Sequence, residues 1–563
     1  MARLYTAEEA VEMVMDPDPT GPESARSESD TETEDSTTMD EDFVPGPDSS
    51  STSSTDSADT EEDETPDTSW RSKNGEISWA PTNSETFRYN SPGTKLRPGP
   101  TRYAVSRVDD LTDAFYLFFT EEITEVITRC TNLHGSRTVQ GWKDLDATTM
   151  RAYFGLLLLA GVYRSRGETT RSLWDGDTGR HIFRATMSRK TFETISRSLR
   201  FDDHLSRPRR RDDDKLAAIR KIWDQWTDQL PRIFNPGANV CVDEQLVLYR
   251  GKCNFLQYIP NRPGRYGFKI WATCDVTTSY VWRLSIYTGQ LAEKHQGQSV
   301  VLEMTQGLSG VTVTCDHFFS YGLAAQMLKK KIAMVGTMRK NKAELPPKLL
   351  RVQGRECFSS VFAFAATHTV VSYIPKRGKN MLVLSTKHRE SVISSGTKKE
   401  PQIILDYNRC KRGVETMDQI IAAHSCRRKT KRWPLAIFFN MLDISALNAC
   451  IVWTAIDPSW NTGKAYRRRL FLEQLGKKLV MPQMTRRQHL PQIPEAINLI
   501  VQAQTSSGDL TVDSPNPLPT ASHTRRKQCV LCPTRKVCTF SCKNCGKGVC
   551  KTHFSAICSS CLP

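Results

Sequence analysis

Over roughly its first hundred residues the chain shows almost no aliphatic periodicity; Ser, Thr, Asp, Glu, Pro and Gly predominate. Such a stretch cannot bury enough apolar surface to offset the entropy of ordering, so residues 1–105 are expected to be a disordered acidic region. The pattern turns helical at Val108, where acidic capping residues precede apolar positions at helical spacing up to Phe119. The same spacing predicts helices over Thr148–Val162 and Lys215–Leu230, and Asn235-Pro236-Gly237 breaks the pattern. β-Branched and aromatic residues then dominate Asn239–Tyr249, Lys269–Asp275, Tyr280–Tyr287 and Gly310–Asp316, which read as strands. A second strand-rich stretch covers about 350–407, with Phe358–Ala365, Thr369–Ile374 and Met381–Ser385 as its strands. Helices resume at Gly413, and Trp433–Trp453 is the clearest of them.

Two stretches are apolar almost throughout. Tyr153–Tyr163 is too short to cross a bilayer, and Leu435–Trp453 carries Asn440, Asp443, Ser445 and Asn448, so both are expected to be buried helices. Met1 is followed by one early arginine and then by acids with no apolar run, so no secretory signal is expected. At 563 residues and 38% hydrophobic, the chain is neither wholly disordered nor collagen-like, and its length suits about three or four domains. Its charge is divided unevenly. Residues 1–70 hold 22 acidic and two basic side chains, which leaves 40 acidic and 75 basic ones in the remainder. A body of that sign calls for a polyanion, and nucleic acid is the first expectation.

Nine of the 17 cysteines are scattered singly; the other eight fall in the last 35 residues. There they read Cys529-x2-Cys532, Cys542-x2-Cys545, Cys550-x2-His553 and Cys558-x2-Cys561, with Cys538 as a spare. Four two-ligand knuckles supply soft ligands for two tetrahedral Zn²⁺ ions, and so short a module would depend on metal to fold. An interleaved pairing puts Cys529, Cys532, Cys550 and His553 on one ion; a sequential pairing is the alternative.

Asp243 and Asp316 sit where predicted strands end or turn, and Glu415 and Asp418 share one face at the start of a predicted helix. Carboxylates so distributed suit a two-Mg²⁺ phosphodiester site, in which hard oxygen ligands hold the cations against a scissile phosphate.

The segments around these acids make the chain resemble the piggyBac family of DNA transposases. They are Val242-Asp-Glu-Gln245 with Arg250-Gly-Lys-Cys253, Tyr258-Ile-Pro-Asn-Arg-Pro-Gly-Arg-Tyr-Gly-Phe-Lys269, Thr314-Cys-Asp-His-Phe-Phe319 and Val335-Gly-Thr-Met-Arg-Lys-Asn-Lys342. Asp406-Tyr-Asn408, Gly413-Val-Glu-Thr-Met-Asp-Gln419, Cys426-Arg-Arg-Lys-Thr-Lys-Arg-Trp-Pro434 and the cysteine-rich tail complete the set. The resemblance implies an α/β, RNase H-like catalytic core in two segments, 238–343 and 405–426, with a β-rich insertion domain at 344–404. It implies a helical dimerisation and DNA-binding domain made of 106–237 and 427–504, a linker at 505–527, and a zinc-binding domain at 528–563 that reads transposon ends. The implied activity is cut-and-paste transposition by a homodimer on double-stranded DNA, with Mg²⁺ or Mn²⁺, a hairpin intermediate and insertion at TTAA. Asp243 and Asp316 match the first two catalytic aspartates. The third position differs: the family's Gly-Val-Asp-x-x-Asp-Gln carries Glu415 here in the first place and Asp418 in the second. The alternative that this raises is a domesticated DNA-binding protein that no longer cuts.

Basic residues interleaved with aromatics are the expected DNA contacts: Arg250, Lys252, Tyr258, Arg262 and Lys269; Arg339, Lys340 and Lys342; and Arg427, Arg428, Lys429 and Arg432 beside Trp433. Arg207–Arg211 adjoins Asp212–Asp214 and is expected to be partly self-neutralised. Thr524-Arg-Arg-Lys527 is a nuclear-import candidate, consistent with an expected nuclear location. His317 is expected to be structural or DNA-contacting, and Asp275 a turn residue.

Overall fold

The computed structural model describes residues 69–83, 96–260, 264–289, 296–316 and 320–507, together with four two-residue strands in the C-terminal tail. Its centre is one mixed sheet. In chain order the strands are β1 (Asn239–Leu248), β2 (Tyr266–Asp275), β3 (Val281–Ile286), β4 (Thr312–Cys315), β5 (Ala333–Thr337), β6 (Ser360–Phe364), β7 (Thr369–Lys376) and β8 (Lys379–Ser385). Across the sheet they run β6-β7-β8-β5-β4-β1-β2-β3, and the short strand Gln257–Tyr258 shares the outer edge of β2. β4 is parallel to both β1 and β5, and the other pairings are antiparallel.

Among the helices are α1 (Glu121–Thr138), α2 (Ala147–Val162) and α3 (Arg220–Ile233) before the sheet, and α4 (Tyr321–Lys329) after β4. After β8 come α5 (Gln402–Cys410), α6 (Gly413–Ala423), α7 (Trp433–Ile456) and α8 (Arg467–Thr485). Short polar side chains start several of them, since their oxygens satisfy amides that the first turn leaves unpaired: Thr120 accepts from the Ile123 amide, Asp146 from Thr149 and Ser320 from Leu323.

The two helical stretches, distant in sequence, share one core. Phe438 of α7 packs on Phe119, Phe154 and Phe201 at centroid distances of 6.1, 5.6 and 5.0 Å. Where α2 crosses α8, glycines face each other: a Cβ on Gly155 would lie 2.9 Å from the Gly476 carbonyl oxygen, so the helices approach backbone to backbone. α7 is long and apolar enough to cross a membrane, yet 94% of its most apolar window is buried inside the protein. Four of its polar side chains staple it to its surroundings. Asn440 pairs with Gln245, Asp443 accepts from Ser425 and the Cys426 amide, Ser445 accepts from Trp226, and Asn448 exchanges two 2.9 Å bonds with the Val281 backbone.

The β-rich stretch inserted at 344–404 extends the central sheet: β8 pairs along β5, and β7 and β6 follow, because the 360–385 meander offers β5 a strand of matching register. Two expectations need correction. Residues 402–410 are helical rather than strand, since Ile403, Ile404, Tyr407 and Cys410 bury at helical spacing. Residues 69–83, expected to be disordered, fold as a hairpin pairing Trp70–Arg71 with Ser78–Trp79. Trp79 is fully buried and donates from Nε1 to the Glu344 carbonyl at 2.9 Å, and Ala80 exchanges two 2.8 Å backbone bonds with Phe364 at the sheet's edge. One tryptophan supplies enough apolar area to fix a segment that its polar neighbours would leave loose.

Residues Thr505–Pro563 form a second unit, in which Lys527–Gln528 pairs with Val537–Cys538 and Phe540–Ser541 with Gly548–Val549. Cys529, Cys532, Cys542, Cys545, Cys550, His553, Cys558 and Cys561 all lie outside the described residues.

Candidate active site

β1 and β4 are parallel, and Val242 is abreast of Cys315, so Asp243 and Asp316 follow side by side. Neighbouring strands are about 4.8 Å apart, and residues abreast in a parallel ladder face the same way. The face they share is fixed two residues earlier. Cys241 lies under Lys411 and Gly413, with its Sγ 3.3 Å from the Lys411 carbonyl, and Thr314 contacts the Cys410 thiol. Val240, Val242, Val313 and Cys315 point the other way, into a separate apolar cluster. Both acids therefore lie on the side covered by α5 and α6. Two like charges held abreast repel unless a cation or donors balance them. Asp316 accepts from the hydroxyls of Thr337, at the end of β5, and Tyr407, on α5. Burial, then the charge of Asp316, pushes the Tyr407 phenol well up, which keeps it a donor.

α6 brings the remaining acids. Gly413 permits its close approach, since a Cβ there would lie 2.7 Å from that of Cys241. Val414, Met417, Ile420 and Ile421 bury against the interior. Asp418 is half-buried, and its Oδ1 accepts from Gln245 Nε2 at 2.7 Å. Gln245 lies two residues beyond Asp243, on the same face of β1. Glu415, one turn before Asp418, is exposed. Burial drives the Cys274 thiol well up, and the carboxylates of Asp418, Asp275 and Asp243 add to that shift. Asp243 and Asp418 thus act on one buried thiol. Among the described residues, no three His, Cys, Asp or Glu side chains are grouped closely enough to make a complete metal site. What fits divalent cations is the donor chemistry: two hard carboxylates that follow a registered pair of parallel strands, and a third acid tethered further along β1.

The basic residues divide into two kinds. Arg250, Lys252, Arg339, Lys340 and Lys429 are exposed, Lys342 is half-buried, and Tyr258 is exposed with its ring 4.8 Å from that of Tyr266. Lys269 departs from expectation: it lies on the opposite face from Asp243, paired with Glu244 at 2.7 Å and seated 4.1 Å over the Trp271 ring. The arginines of the strap before α7 hold the fold. Arg428 donates to the Ser165 and Glu168 carbonyls, Arg432 to those of Ser196, Arg197 and Leu199, and Arg427 to that of Leu248. The partner of Arg207 and Arg210 is Asp202, rather than the Asp212–Asp214 run. Asp275 caps a turn, accepting from Gly237 and Thr278. Arg262 and His317 lie outside the described residues. Sequence reasoning gave no role at the site to Gln245, Thr337, Tyr407 or Asn440. Period-two alternation from Asp243 was the signal available for Gln245; the others required the fold.

Residues 111–450 match the family described as transposase IS4. The human piggyBac transposable element-derived protein 3 is 24% identical over 362 residues, 59% of this chain and 59% of that protein. The human chimeric ERCC6-PGBD3 protein has the same identity, over 33% of its length. The cryo-EM structure of a piggyBac transposase synaptic complex with hairpin DNA superposes with a TM-score of 0.68 and 32% identity, covering 83% of this chain and 100% of that one.

Proposed function

We propose, from the premise that this chain belongs to the piggyBac family of transposases, that it is a metal-dependent cut-and-paste DNA transposase. On this reading it binds transposon ends as a homodimer in the nucleus, excises the element through a hairpin intermediate and inserts it at TTAA. The observation that carries the proposal is that Asp243 on β1 and Asp316, the residue after β4, each directly follow the last registered pair of these parallel strands, Val242 and Cys315, while Asp418 on α6 is tied to β1 through Gln245. The strand order β3-β2-β1-β4-β5, with only β1, β4 and β5 parallel, supports an RNase H-like core. Asp243, Asp316 and Asp418 would hold divalent cations, which supply charge stabilisation for the attacking and leaving oxygens. The protein's part is positioning. Thr337 and Tyr407 orient the Asp316 carboxylate, Gln245 orients that of Asp418, and exposed Arg250, Lys252, Arg339 and Lys340 offer positive charge to the DNA backbone. The cysteine-rich tail, with two Zn²⁺, would read the ends.

A second reading, a DNA-binding protein that does not cut, is favoured by Glu415 standing exposed at the position where the family carries aspartate. Excision of an element bearing its own terminal repeats and TTAA flanks separates the two. Product with Mg²⁺ or Mn²⁺, lost in Asp243→Asn and Asp316→Asn while end binding survives, supports the transposase; no product with either metal supports the second reading.

A further inference from the structure

A reciprocal polar contact at the site involves two neutral amides. Gln245 is 2% exposed and Asn440 7% exposed. Gln245 Nε2 donates to Asp418 Oδ1 at 2.7 Å and to Asn440 Oδ1 at 3.2 Å, while Asn440 Nδ2 donates back to Gln245 Oε1 at 3.0 Å. The reciprocal pair braces the Gln245 amide while its nitrogen faces the acid. A flipped amide would set its oxygen against the Asp418 carboxylate and leave two buried acceptors in contact, which is costly in a buried site. The carboxylate therefore requires the nitrogen end of Gln245, and Asn440 braces that amide in place with two further bonds.

The chemistry of the donor matters. A lysine or arginine at this place would hold Asp418 more strongly, but it would neutralise the carboxylate and compete with a cation for it. An amide orders the oxygen and leaves the negative charge available. A cavity of about 290 Å³ borders Gln245, Asp418, Asn440, Asp443 and Arg427, so the acid is held at its edge rather than sealed away. Glu415 is exposed and has no such clamp among the hydrogen bonds of the described residues.

We infer that Gln245 and Asn440 are positioning residues for the cation-binding acid of α6, that Asp418 is the acid they position, and that α7 thereby sets the metal affinity of a site built on β1 and β4. The inference rests on the metal-dependent reading above. Neither amide touches a reacting atom; each acts through Asp418.

The test is a Mn²⁺ titration of the full-length, zinc-replete protein, with free Mn²⁺ followed by electron paramagnetic resonance. Unaltered protein is compared with Gln245→Leu, Asn440→Leu and Asp243→Asn. Gln245→Leu should weaken Mn²⁺ binding about ten- to hundredfold, as loss of an outer-shell partner does, with Asn440→Leu moving in the same direction. Excision by Gln245→Leu should recover as Mn²⁺ is raised, which a merely structural defect would not do. Should Gln245→Leu fail to fold, Asn440→Leu carries the same expectation. Unchanged Mn²⁺ affinity in both leucine variants, with binding lost in Asp243→Asn, overturns the clamp and leaves the metal-site reading standing. No Mn²⁺ binding by the unaltered protein, or binding indifferent to Asp243→Asn, overturns both.

Discussion

Replacing Trp79 with alanine tests whether the 69–83 hairpin belongs to the body built on the central sheet. The indole is fully buried, meets the Tyr321 ring edge-on at 5.9 Å and donates to the Glu344 carbonyl. A tryptophan buries roughly 150–250 Å², worth about 4–6 kcal/mol at ~25 cal/mol per Å², and large-to-small replacements of aromatics cost about 3–5 kcal/mol. Taking about 4 kcal/mol, the docking equilibrium of the hairpin shifts about a thousandfold. The hairpin can detach without unfolding the sheet, so the loss should appear locally before it appears globally. Hydrogen exchange reads it directly. The Ala80 and Phe364 amides, which pair across the sheet edge, and those of Lys73 and Asn74, bonded to Leu345 and Ala343, should lose protection together, while Val242 and Val313 keep theirs. Tyr321 opens the helix after Asp316, so excision should fall as well. Unchanged protection at Ala80 and Phe364 would refute the claim that Trp79 anchors the segment.

Gly413→Ala should cost about 1–3 kcal/mol, because the new Cβ meets that of Cys241 at 2.7 Å; Cys241→Gly should restore part of the loss in thermal melts, and failure to do so would place the strain elsewhere. Lys269→Ala should leave the salt dependence of DNA binding unchanged, whereas Arg250→Ala or Lys252→Ala should each lower the log–log slope by about 1; an equal change for Lys269 would contradict its pairing with Glu244. Burial raises the Asp443 carboxyl from 3.8 to about 6, against the pull of donors from Cys426 and Ser425. The fold therefore favours the neutral acid. That contribution is complete below about pH 4 and lost as pH rises through about 6, a difference of about 3 kcal/mol. Asp443→Asn should flatten the decline in melting temperature over this range, and parallel declines in both proteins would count against it.

Much of the architecture was legible because it is written locally. The change from helical spacing to strand composition after Asn235-Pro236-Gly237 marked the start of the sheet. Asn440, Asp443, Ser445 and Asn448 argued for a buried rather than membrane-spanning α7, and each has a partner. The hairpin at 69–83 escaped notice because two tryptophans and an isoleucine within a polar stretch carry no period.

By itself the sequence determined which residues could serve: acids at strand ends, a helix bearing two more, and basic residues among aromatics. Which of them meet was decided by register and helix path, which join positions far apart along the chain. The parallel pairing of Val242 with Cys315 put Asp243 beside Asp316, and the antiparallel pairing of β1 with β2 sent Lys269 to the other face. The strap's path past Ser165 and Leu199 turned Arg428 and Arg432 inward. Alternation along a strand is a local property of the backbone, whereas facing a partner requires two strands or a strand and a helix to be brought together, and only the folded core supplies that.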